Sequence, residues 1–162
     1  MKLLIIIGLL LSSQVMLMAQ DRCETVEIAV MQDQPIVRGT INGKEAFFLV
    51  DTGSDVSLIH AKDAKRYGFF CHPRRALDRF QLYGLGTSIK ELTAVHNMYV
   101  QLGSRTIFAD YIALDLSTII HSLNTGTSIE ISGILGSKTL NKYGFVIDYH
   151  RNEIIMNPPG TE

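Results

Sequence analysis

The stretch Ala46-Phe47-Phe48-Leu49-Val50-Asp51-Thr52-Gly53-Ser54-Asp55-Val56-Ser57-Leu58-Ile59 decides how this chain is read. An apolar run rich in aromatic and β-branched side chains delivers a carboxylate into a Thr-Gly turn, and a second apolar run leads away. Runs of this length and composition predict two buried strands joined by a loop. An acid placed directly after a buried strand is costly, because its charged form loses water there. Chains keep such an acid where it is hydrogen-bonded, paired or used. The ordinary reading is a turn aspartate that bonds its own backbone, a common duty of Asp before Gly. The sharper reading is a chemically active carboxyl group.

Working outward, residues 25–31 and 35–41 read as strands, and Asn42-Gly43 signals a hairpin, since both positions tolerate the positive φ of a type I′ turn. The returning strand, 44–50, ends at Asp51. Residues 61–67 predict a short helix closed by Gly68, and 69–77, with Pro73 and Arg74-Arg75, predict a loop. Residues 79–83 and 87–89 flank Gly84-Leu85-Gly86 and predict a hairpin with a glycine tip. Residues 94–102 and 106–114 form another strand pair about Gly103-Ser104. Ser117 is placed to cap a helix running to Asn124 and Ser137 one over 138–143, with Gly144 closing the second. A hairpin of 145–148 and 153–156 finishes the chain. Between the two helices lies the apolar segment Ile134-Leu135-Gly136.

With 162 residues and 46% apolar content the chain can bury one good core, which predicts one domain over residues 20–162. The balance of 15 Lys+Arg against 16 Asp+Glu leaves no basic field, so nucleic acid is not an expected partner. Residues 1–19, with Lys2 before an apolar run and Ala19 at a candidate cut site, read as a secretory signal peptide. Ser12, Ser13 and Gln14 interrupt that run, which falls short of the roughly 20 apolar residues a membrane span prefers. Export to a periplasmic or external space is the expectation, with membrane attachment only if the segment stays uncleaved. In such a compartment Cys23 and Cys71 can form one disulfide; two buried thiols, or a metal site at Cys71-His72, are the alternatives. No metal or cofactor is expected: the five histidines are scattered without ligand spacing, and no Gly-x-Ser-x-Gly elbow occurs. Neither 39–44 nor the 84–86 glycines complete a nucleotide-binding fingerprint. Asp110, Asp115 and Asp148 sit at strand ends, where turn or surface duty is expected.

Leu49-Val50-Asp51-Thr52-Gly53-Ser54 resembles the active-site signature of the aspartic proteases, and its single occurrence in a short chain is similar to the retropepsin-like branch, including its exported bacterial members. Ile134-Leu135-Gly136 followed by a helix resembles the segment that crosses beside the active-site loop in that family, and Tyr83-Gly84 before Gly86 is similar to a flap tip. The resemblance spans roughly residues 26–156. It implies a mainly β fold, a closed barrel or sandwich with short helices and a β-hairpin flap. It further implies an endopeptidase in which Asp51 is catalytic and meets its twin in a homodimer, with peptide or protein as substrate. Thr52, Gly53 and Ser54 would support the loop, and Asp55, Tyr83, Gly84 and Gly86 would bind substrate. Viral members carry Arg after the Gly of the crossing segment, where this chain has Ser137. The alternative is a catalytically inactive, monomeric peptide-binding domain of the same fold, serving extended segments along a strand edge.

Overall fold

A computed structural model describes residues 23–31, 35–74, 92–122 and 129–157. The signal-peptide reading of 1–19 and the flap-tip residues Tyr83, Gly84 and Gly86 lie outside them.

The chain opens with β1 (Glu24–Met31), β2 (Pro35–Ile41) and β3 (Lys44–Asp51), an antiparallel meander. Asn42 and Gly43 turn β2 into β3 at φ 49° and 76°, as the hairpin signal requires. β4 (Leu58–His60) leads into a 3-10 turn (Ala61–Asp63) and α1 (Ala64–Tyr67), closed by Gly68 at φ 76°. β5 (Phe70–Arg74) and β6 (Leu92–His96) pair antiparallel, with Arg74 opposite Leu92. Then come β7 (Val100–Leu102), β8 (Arg105–Ile107), β9 (Ile112–Leu114) and α2 (Ser117–Ser122). β10 (Ile131–Gly136) runs straight into α3 (Ser137–Lys142), and β11 (Phe145–Asp148) and β12 (Glu153–Met156) close the chain.

The main path of strands is β11-β12-β1-β2-β3-β10-β4-β9-β6-β5, with β7 and β8 branching from β2. β3 lies at its centre, paired antiparallel with β2 and parallel with β10. Its side chains alternate between two cores: Ala46, Phe48 and Val50 face the larger one, and Leu49 with Phe47 the smaller. Burial on both faces explains why β3 reads as a continuous apolar run rather than an alternating one. β10 is buried at all six positions for the same reason.

Several expectations need correction. Among the described residues the strand path is open, from β11 to β5, and does not close into a barrel. β1 pairs with β12 through Glu24 to Glu27 and with β2 from Ile28 onward, with a register shift between Ile28 and Val30. One strand thus serves two ladders, which turns the sheet as in a sandwich corner. The predicted loop at 69–77 is β5 over Phe70–Arg74; Pro73 is tolerated because β5 ends the strand path, where one side of its backbone needs no ladder bond. The predicted strand 94–102 breaks at Asn97, which takes φ 58° and lets the chain leave β9 for β2. The second, 106–114, breaks at Phe108, whose N–H donates to the Tyr143 hydroxyl at 2.7 Å instead of to a ladder. Ser117 begins α2 rather than capping it; Asp115 Oδ1 accepts the Ser117 N–H at 3.0 Å.

Candidate active site

Asp51 is the last residue of β3 and sits opposite Gly136, the last of β10. The parallel β3–β10 ladder therefore delivers two loop starts to one place. The Asp51 side chain is partly exposed, and its Oδ1 accepts the Gly53 N–H at 2.8 Å, while the Ser54 N–H donates to the Asp51 carbonyl at 3.3 Å. This is the tight aspartate turn of the ordinary reading, and it also orients the carboxyl group: one oxygen is committed, and Oδ2 has no donor among the described residues. A Cβ on Gly53 would stand 3.2 Å from Oδ1, so a side chain there would crowd the turn.

The loop is held from below by α3. Ser137 N–H donates to Ser54 O at 2.7 Å and Lys138 N–H to Asp55 O at 3.3 Å. The first amides of a helix lack intrahelical partners, and here the aspartate loop supplies the acceptors. Ser137 accordingly starts the helix, against its expected cap role, and Gly136 precedes it with no side-chain cap. Gly136 must be glycine: a Cβ there would lie 2.3 Å from Val56 O and 2.8 Å from Ser54 O. The approach of β10 to the loop is that close.

Two residues missed in the sequence complete the support. Ser57 Oγ, buried, accepts the Gly136 N–H at 3.1 Å and lies 2.7 Å from Thr139 Oγ1, also buried. A serine inside the run Val56-Ser57-Leu58-Ile59 was the available signal, because a buried hydroxyl needs a partner. Ser54 Oγ donates to Val56 O at 2.9 Å, so its hydroxyl serves the loop backbone. Thr52, Gly53 and Asp55 are exposed, on the open side of the loop. Ile134 and Leu135 are buried beneath it, in the smaller and larger cores respectively. 

The family model described as aspartyl protease matches residues 37–138, more than half of the chain. The chain belongs to the aspartyl protease family. Among solved structures it is similar to a retropepsin-like aspartic protease from Rickettsia conorii, at 19% identity, 84% of this chain, 90% of that one and TM-score 0.49. It is also similar to the retroviral protease-like domain of Ddi1 from Leishmania major, at 22% identity, 83% of this chain, 93% of that one and TM-score 0.47. No curated protein matches it. The matched segment of this aspartyl protease family member runs from β2 through the Asp51 loop into the start of α3, and it contains Ser57, Gly136, Ser137 and Lys138, with Thr139 one position beyond it.

The remaining candidates lie elsewhere. Cys23 and Cys71 are both free thiols, which corrects the disulfide expectation. Cys23 donates to Asn157 Oδ1 at 3.4 Å beside β12, whereas Cys71 packs on the larger core within β5, near the far end of the strand path. Burial pushes the Cys71 thiol above its ordinary range. His72 and His96, scattered in sequence, bring their rings to 5.2 Å edge-on across β5 and β6. Among the described residues no group of three His, Cys, Asp or Glu is arranged to hold a metal. Asp148 accepts the His150 and Arg151 N–H groups in the final turn, and Asp115 meets Lys62 Nζ at 3.0 Å, both structural duties as expected.

Proposed function

We propose that this protein is an exported, homodimeric aspartic endopeptidase whose catalytic pair is Asp51 and the Asp51 of a second copy. The observation that carries the reading is the Asp51 turn itself. A partly exposed carboxyl group at a strand end is oriented by the Gly53 amide, braced by Ser57, Gly136 and α3, and left with one oxygen uncommitted among the described residues. Peptide hydrolysis without a metal or a nucleophilic side chain needs a base for water and an acid for the carbonyl and leaving amine. Two carboxyl groups sharing one proton supply both: the ionised member takes a proton from water, and the protonated member polarises the scissile carbonyl. Like charges that close cannot both ionise, which keeps the shared proton in place. One chain carries one such group, so the pair requires a two-fold axis.

Two features support self-association. Thr52 and Gly53 are exposed beside Asp51, where a second loop would stand. β11 leaves its outer edge unpaired among the described residues, carries the uncharged run Phe145-Val146-Ile147, and exposes Val146 at 49%. Natural edge strands are usually blunted by charge or proline, and this one carries neither before Asp148. Export rests on the N-terminal segment 1–19.

Asp51→Asn keeps the shape and removes the acid. Cleavage of an unstructured peptide, assayed with and without pepstatin at acid and neutral pH, is expected to fall by at least about 10³-fold, in the range that separates a complete catalytic constellation from its remnants. Sedimentation at micromolar protein should show a dimer for both forms. Full activity in the variant would remove the protease reading; a monomer that binds peptides without cleaving them would replace it with a peptide-binding domain.

A further inference from the structure

A cavity of about 780 Å³ opens immediately past the Asp51 loop. Its floor includes Val56, Ser57 and Thr139; its walls are the β5–β6 pair, the 108–112 connection and the outer face of α3. Asp51 does not line it. Val56 stands five positions after Asp51, so the two are at most about 18 Å apart. An extended peptide crossing Asp51 therefore reaches the cavity within about five residues of the bond being cut.

The chemistry of the walls is lopsided. Among the described residues Lys138, Lys142, His72 and His96 all line the cavity, against one carboxylate, Asp110. The partners of Lys142 are neutral: its Nζ donates to Phe108 O at 3.0 Å and sits 5.5 Å from the centre of the Tyr143 ring. No carboxylate lies within ion-pair range of Lys142 among the described residues. The rim carries Phe108, 63% exposed, beside Tyr111 and Ile112, an apolar lip suited to the methylene stem of a long side chain. An apolar approach ending in ammonium and imidazole groups fits a glutamate better than a neutral or basic residue.

We propose that this cavity is a specificity site that takes an acidic side chain of the peptide substrate, with Lys142 as its principal cation. The proposal rests on the protease reading for its substrate, and its test separates the two. Quenched-fluorescence peptides carrying Glu, Gln or Lys at each of the five positions on either side of the cut would be compared by kcat/KM. One position should prefer Glu over Gln by about fivefold, the size of an exposed ion pair, and disfavour Lys. Lys142→Glu should erase that preference or turn it toward Lys, and Lys142→Gln should halve it or more. Lys65→Glu, the same charge change on exposed α1 outside the cavity, should leave the preference unaltered. Preferences identical in the wild-type protein and Lys142→Glu at every position would overturn the proposal.

The same peptides, labelled and titrated by fluorescence anisotropy, give a readout independent of turnover. If nothing is cleaved, the protease reading fails, yet Glu-over-Gln binding that reverses in Lys142→Glu still supports the site. Binding indifferent to charge in both proteins overturns it.

Discussion

Ser57 shows how far one hydroxyl can reach into this site. Its oxygen joins β10 at Gly136 and α3 at Thr139, within two buried contacts of 3.1 and 2.7 Å. Ser57→Ala would leave a buried amide and a buried hydroxyl without their partner, which costs about 2 kcal/mol. Thr139→Val alone strands one hydroxyl. The double variant strands only the Gly136 amide, so its loss should fall short of the summed single losses by about 1 kcal/mol, read from urea midpoints. Strict additivity would show that the pair is not a unit. Asn42 works in the same manner at the opposite end: Oδ1 accepts the Tyr99 N–H at 2.8 Å, and Nδ2 donates to Tyr67 O at 3.0 Å and Asn97 O at 2.8 Å. The Asn-Gly signal announced a turn. That the same side chain clamps three segments was invisible, because its partners lie 25 or more positions away in the chain.

Among the elements, β10 and α3 carry the arrangement. Their junction is short because the aspartate loop satisfies the helix amides, a task the sequence assigned to a Ser137 hydroxyl. The backbone bonds from Ser137 and Lys138 to Ser54 and Asp55 hold the loop to α3. β11 is the element the dimer proposal leans on. Val146→Lys adds a charge to its bare edge, and a two-fold pairing would bring each new ammonium close to its copy. The dimer dissociation constant should rise at least about tenfold, equivalent to 1.4 kcal/mol, in sedimentation equilibrium. Since Val146 is half exposed, the monomer should lose within about 0.5 kcal/mol. An unchanged constant would take β11 out of the interface.

For the molecule as a whole, acid is the expected weakness. Glu24 is held below the ordinary carboxylate range by the Ser104 hydroxyl and amide, which tie β1 to the β7–β8 turn. Asp148 is held low by the amides of Arg151 and His150. A depressed folded-state value means stabilisation that is complete above the unfolded value and lost as pH falls through the folded one. Thermal midpoints should therefore hold near neutrality and decline below about pH 4. Glu24→Gln with Asp148→Asn should flatten that decline, and an equal decline in the variant would locate the acid sensitivity elsewhere. An enzyme working at acid pH would operate close to this edge.

Local pattern was enough to establish the hairpin at Asn42-Gly43, the buried strand ending at Asp51, the glycine-closed helices and the family signature, because each depends on residues within a few positions of one another. Folding established what depends on distant partners. Gly136 meets the loop because β10 runs parallel to β3, and Ser57 finds Thr139 for the same reason. Among the described residues the strand path runs open from β11 to β5, and β1 divides itself between two ladders, because pairing with distant strands rather than local pattern sets the sheet order. His72 meets His96, and the cysteines stay apart, because strand pairing rather than chain position sets who is near whom.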